Sequence, residues 1–219
     1  MADNELDKTL GDQLQPTRRR ILLALKQRGR MTATELAELL GITSMGVRRH
    51  LTTLERDRLV DYELMQRGKG RPSYVYRLTA QAENLFPKNY AGLAKELLGY
   101  LANRDSGSEV IQLFDQRADR RIRQARAQLE GKSLAERVAG LADILHNDGY
   151  LADWQQVDAN TFLLREHNCA VHEVAAEFRA ACHSELNFLR AILPDADITR
   201  EEHLMAGGLS CTYRIRRIA

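Results

Sequence analysis

Apolar residues recur through the first eighty positions in a rhythm that changes once. Ile21, Leu22 and Leu25 fall on a helical period behind Pro16-Thr17, and Gly29 closes that run. Leu36, Leu39 and Leu40 repeat the period over 31–41, with Gly41 as the stop. After the short link Ile42-Thr43-Ser44, a third helical run extends from Met45 to Leu59. At about 100° per residue, Val47, Leu51 and Leu54 share one narrow arc and are expected to face a core. The rhythm then becomes two: 59–65 and 73–79 read as strands, the second with Tyr74 and Tyr76 alternating, around a glycine-bearing loop at 66–73. A helix, a tightly linked helix pair and a hairpin predict a winged helix-turn-helix over 17–80.

The rest of the chain is helical first and mixed afterwards. A helix is expected over 83–103 from Leu85, Leu93, Leu97 and Leu101, with Pro87 in its first turn, and Asp105-Ser-Gly-Ser breaks it. From 109 to 129, Ile111, Phe114, Ala118, Ile122, Ala125 and Leu129 form a coiled-coil-like stripe. Such a stripe serves a dimer or packs within its own chain. A dimer is favoured because helix-turn-helix proteins engage two half-sites about 34–36 Å apart. Beyond it, 133–147 reads as a helix, 150–158 and 160–168 as strands, 171–193 as one helix ended by Pro194, and 209–218 as a closing strand. The expected fold is α+β, with an N-terminal winged helix-turn-helix, central dimerisation helices and a small C-terminal α+β sensor domain. The expected bounds are a tail at 1–16, the DNA-binding domain at 17–80, a helical linker and dimerisation region at 83–130, and the sensor at 131–219.

Charge sharpens this picture. Residues 17–77 hold 14 Lys and Arg against 6 Asp and Glu, a balance of +8, in a chain whose net charge is only +2. The third helix turns Ser44, Met45, Arg48, Arg49, Thr52, Thr53 and Arg56 away from its apolar arc, and these are groups that read base edges in a major groove. The hairpin tip adds Arg67, Lys69 and Arg71, suited to phosphates or the minor groove. An ordinary amphipathic helix with a solvated basic face is the alternative, and the basic hairpin behind it favours double-stranded operator DNA as the partner. No apolar run reaches the length of a membrane span, and Met1 to Asp12 is acidic and polar, so a cytoplasmic protein with no membrane partner is expected.

The thiol inventory is Cys169, Cys182 and Cys211, all in the last 51 residues. Structural disulfides are not expected in a reducing compartment, which leaves packing, redox chemistry or metal. Soft thiolates suit iron–sulfur clusters, zinc or copper(I). A cubane cluster wants four ligands, so the fourth is a nearby histidine, a carboxylate, a small thiol, water or nothing. His167, His172, His183 and His203 lie close in sequence, as do Asp195, Asp197, Glu201 and Glu202. Cys169-x-x-His172 has zinc-knuckle spacing. Cys182 and His183 are helix neighbours about 100° apart and do not face each other. With no nucleophile elbow, phosphate loop or paired-carboxylate motif, no enzyme is expected.

The wing sequence GRPSYVYRLT, Asn168-Cys169, the twelve-residue gap to Cys182, Arg200-Glu-Glu-His203 and Cys211-Thr-Tyr-Arg-Ile215 together resemble the winged-helix repressors of the SUF iron–sulfur-cluster assembly operon, within the ArsR- and DeoR-like bacterial regulators. The resemblance spans nearly the whole chain from about residue 17. It implies a homodimer whose three cysteines bind a [4Fe–4S] cluster, which represses when loaded and releases DNA when the cluster is lost. The cyanobacterial form carries a further cysteine between the last two, where this chain has Ala196. Control by zinc, by thiol redox state or by a small ligand is the alternative.

Overall fold

The computed structural model describes residues 14–66 and 72–218. The chain divides into two compact units, Met1–Lys88 and Asn89–Ala219. In the first, α1 (Pro16–Arg28) opens with Pro16 in its first turn and ends at Gly29, whose φ of +78° favours glycine. Strand β1 (Met31–Thr32) precedes α2 (Ala33–Leu40), which starts with a capping box: the Thr32 hydroxyl accepts from the Glu35 amide and the Glu35 carboxylate from the Thr32 amide. The sequence pattern ran α2 back to residue 31. Instead Met31 and Thr32 pair with the later hairpin.

Helix α3 (Ser44–Arg56) begins behind Thr43, whose side chain caps the Gly46 amide at 3.1 Å. Strands β2 (Val60–Met65) and β3 (Ser73–Leu78) form the antiparallel hairpin, and the sheet order is β1-β3-β2. Ile21, Leu22, Leu36, Val47, Leu51 and Leu54 are fully buried in one core, so the expected apolar arc of α3 faces inward. Leu14 packs against that core, inside the expected tail; residues 1–13 lie outside the described residues.

The helix expected over 83–103 is split. A 3₁₀ turn at Ala82–Leu85 is followed by Phe86 with ψ of 151°, and α4 (Tyr90–Ala102) begins only after Pro87. A residue before proline is driven out of the helical region by the proline ring, so Pro87 separates two elements. Helix α5 (Ser108–Leu129) follows the expected break. The face it buries is Val110, Phe114, Ala118, Arg121, Ala125 and Leu129, while Ile111 is more than half exposed. This stripe packs within its own chain, against α8 (Ala180–Ile192). Both α4 and α5 share a unit with the segment expected as a separate sensor.

Helix α6 (Leu134–Leu145) carries a second capping box, Ser133 with Glu136. A tight turn at His146–Tyr150 leads to β4 (Ala152–Gln156) and β5 (Thr161–Glu166). The helix expected over 171–193 is two helices, α7 (His172–Glu177) and α8, broken at Phe178, whose ψ of 91° is extended. Strand β6 (Ala196–Glu202) was not expected from the sequence, and β7 (Cys211–Arg217) closes an antiparallel sheet in the order β4-β5-β7-β6. Phe162, Ile215 and Ile198 form one cross-strand row of its buried face, and Leu164, Tyr213 and Arg200 the next. Glu166 opposite Cys211 forms the last row. The apolar rows pack against Leu141, Leu145, Phe188 and Leu189 of the helices, so the sheet is anchored by its hydrophobic end. Among the described residues no helix is long and apolar enough to cross a membrane.

Candidate DNA-reading face and thiol cleft

Helix α3 offers its polar side outward. Ser44, Met45, Arg48, Arg49, Thr52 and Arg56 are exposed, Met45 by 75%, and Thr53 is half-buried. The Thr52 and Thr53 hydroxyls donate to the Arg48 and Arg49 carbonyls at 3.0 and 3.2 Å, so each bonds along its own helix. Arg56 lies 3.6 Å from Asp57 and is partly committed there. Other cations of the unit are paired: Arg18 with Asp57, Lys26 with Glu83, Arg30 with Glu63, and Arg77 with Asp61. Burial, Arg49 and Arg18 hold the His50 imidazole below its usual range, so it adds no charge near neutral pH. Arg67, Lys69 and Arg71, expected at the wing tip, lie outside the described residues. Replacing Arg49 with alanine is expected to weaken operator binding by about 1–3 kcal/mol and to relax discrimination between sequences. Titration of operator and scrambled duplexes at fixed salt checks this; an equal loss on both would move base reading elsewhere.

The three cysteines come from three different elements and line one narrow cleft of the second unit. Cys169 sits in the loop behind β5, three residues past the strand end where the sequence pattern put it. That loop is pinned to the turn before β4: the Asn168 side chain donates to the Gly149 carbonyl at 2.7 Å and its amide to the Tyr150 carbonyl at 3.0 Å. Cys182 lies in the first turn of α8 and not midway along a long helix. Cys211 opens β7. Burial pushes all three thiols up, Cys211 to about 11. They are therefore protonated at neutral pH.

The cleft is completed by groups that the sequence did not single out. Glu166 is 2% exposed and its Oε1 has no hydrogen-bond partner. Burial first, and then the Glu185 carboxylate, push its carboxyl up to about 8, against the pull of Arg200 and Arg121. Arg200 reaches the Cys182 carbonyl at 2.7 Å and lies over the Tyr213 ring at 5.4 Å. Glu185 takes both bonds from Arg121, at 3.0 and 2.8 Å, and one from the Tyr150 hydroxyl.

The expected fourth-ligand candidates fare differently. Only His203 lines the cleft; burial and Arg200 hold its imidazole below the usual range, and its Nε2 lies 3.5 Å from Arg200. His167 is bonded to Asp153, and His172 and His183 are exposed, so the Cys169-x-x-His172 spacing is not gathered at the cleft. Asp195 pairs with Arg137, Glu201 with Arg214, and Glu202 holds Ser210 and the Leu209 amide, while Asp197 is exposed on β6. Ala196 is four residues before Arg200 on β6, about 13 Å away along the strand, and does not line the cleft. Among the described residues no three His, Cys, Asp or Glu side chains converge at single-ion distance. Glu166 had one legible signal: Phe162, Leu164 and Glu166 alternate on the inner face of one strand.

Residues 14–63 match the model of a family described as a helix-turn-helix domain. No curated protein matches the chain. Solved structures similar to it include a cysteine-to-serine mutant of ZitR from Lactococcus lactis, at 25% identity over 48% of this chain and 72% of that one, with a TM-score of 0.31. The adhesin competence repressor AdcR from Streptococcus pyogenes is 22% identical over 59% of this chain and 92% of its own, with a TM-score of 0.31. The oxidised form of MarR from E. coli is 14% identical over 67% and 88%, with a TM-score of 0.30. TM-scores this low set no architecture for the chain as a whole. The match over 14–63 and the helix–helix–helix–hairpin build make the first unit a helix-turn-helix domain of the winged type.

Proposed function

We propose that this protein is a transcriptional regulator that binds its operator under the control of an iron–sulfur cluster of the [4Fe–4S] kind held by Cys169, Cys182 and Cys211. The observation that carries the reading is the convergence of three cysteines, from a loop, a helix start and a strand start, on one cleft. The donor set fits: soft thiolates suit a cluster, and the buried Glu166 oxygen without a partner leaves room for one more bond. When bound, the cluster supplies a cationic, oxidisable centre that ties the thiols together.

The protein's own residues carry the message outward. Cys169 and Cys182 pack in one apolar cluster with Leu98 and Leu101 of α4. That helix begins directly after the end of the DNA-binding unit at Lys88. A change in the spacing of the two cysteines therefore moves the helix that continues the DNA-binding chain. A coupling of about 1–3 kcal/mol between cleft and operator would change affinity several-fold to a hundredfold. The working form is a homodimer: Leu93, Leu97 and Tyr100 of α4 are each more than half exposed at helical spacing, an apolar stripe for a second copy. Two copies supply the two recognition helices that a two-half-site operator takes.

Anaerobically reconstituted protein is expected to hold about four irons and four sulfides per chain and to show charge-transfer absorption. Cys182→Ser should lose both and lose the response of operator binding to air. Colourless wild-type protein without iron or sulfide would refute the reading, and one zinc per chain would replace it with a zinc switch.

A further inference from the structure

We propose that Glu166 is the fourth donor of the cleft, giving one carboxylate oxygen to the metal centre that the three thiolates hold. The assignment rests on the cluster reading above and deepens it.

Three observations carry it. Glu166 stands directly opposite Cys211 in the β5–β7 register, so its side chain shares the buried face with that thiol at the same end of the sheet. It is 2% exposed, and its Oε1 accepts nothing. Buried acceptors without a partner are rare in folded chains, and an ion is one of the few things that accounts for them. The rival donors around the cleft are engaged. Glu185 is saturated by Arg121 and Tyr150, and the Nε2 of His203 faces the Arg200 guanidinium.

The chemistry of the assignment has a consequence. A carboxylate is a harder and weaker partner for cluster iron than a thiolate. An iron held at Glu166 would therefore be released more readily than those held by the three thiolates. Sensitivity would reside at a single corner of the cluster, next to the strand end that carries Cys211.

The test compares wild type, Glu166→Gln and Glu166→Cys, each reconstituted anaerobically with ferrous iron and sulfide and then challenged with a ferrous chelator. Iron retained per chain is followed in time, and circular dichroism of the metal-free proteins checks folding. Glu166→Gln has the same shape and no charge; it is expected to lose one iron in four about ten- to a hundredfold faster than wild type. Glu166→Cys is expected to hold that iron longer than wild type. If Glu166→Gln matches wild type in iron content and rate of loss, the assignment is overturned while the cluster reading stands. If wild type itself takes up no iron, both fall together. Should Glu166→Gln fail to fold, Glu166→Cys decides: longer retention supports the assignment, and unchanged retention removes it.

Discussion

Replacing Arg121 with alanine is expected to destabilise the carboxy-terminal unit by about 3–5 kcal/mol. Surface ion pairs are worth about 0–1 kcal/mol, so the size of the effect depends on burial. The Arg121 and Glu185 side chains are only 10% and 7% exposed. The guanidinium also bonds Asp148 at 2.9 Å and lies 4.3 Å over the Phe188 ring. Removing it leaves the Glu185 carboxylate buried, with the Tyr150 hydroxyl as a remaining donor. Urea unfolding measures the loss, and a change below about 1 kcal/mol would mean that water replaces the cation. Arg121→Met combined with Glu185→Leu should recover most of the stability, because deleting both charges also deletes their desolvation cost. Lysine at 121 should not restore it, since a single ammonium cannot grip two carboxylates as the planar fork does.

The second large effect is expected in the other unit. Leu51→Ala should cost about 2–5 kcal/mol. Leu51 is fully buried between Val47 and Leu54 on α3, in a core with Ile21, Leu22 and Leu36. Small domains hold about 5–15 kcal/mol in total, so this loss is a large part of the reserve. Because α3 carries its core side and its reading side on one helix, binding to operator and to random DNA should fall together, following the folded fraction. Arg49→Ala predicts the opposite pattern, with loss of discrimination in a folded protein. Thermal unfolding measured beside DNA titration separates the two. Lost binding with an unchanged melt would place Leu51 outside the core.

The winged helix was legible because its residues obey local rules: period 3.6 in α3, period two in the hairpin, and capping residues at the helix starts. The carboxy-terminal unit was legible only in part. Strand β6 was missed because Arg200 and Glu202 occupy positions that an alternating pattern would fill with apolar side chains. The break at Phe178 was missed because an apolar residue there continues the helical rhythm, while its backbone turns extended. The buried face of α5 takes in Val110 and Arg121 and leaves Ile111 of the expected stripe exposed, and periodicity alone does not say whether the surface it meets is a partner or the same chain. The cysteines could be counted, and their meeting at one cleft could not, since three elements far apart in sequence bring them together. Glu166 and Arg121 acquire their roles only from burial beside partners 45 and 64 residues away, Cys211 and Glu185.

The inner face of the four-stranded sheet is apolar at one end and chemical at the other. Phe162, Ile215 and Ile198 hold the fold, while Glu166, Cys211 and Arg200 lie beyond them toward the cleft. This division of labour gives mutations at the two ends separate fates. Changes in the apolar rows are paid in stability, whereas the end row can exchange thiol, carboxylate or imidazole with the scaffold left standing. A lineage carrying this sheet can therefore vary the chemistry of the cleft row and keep the same core.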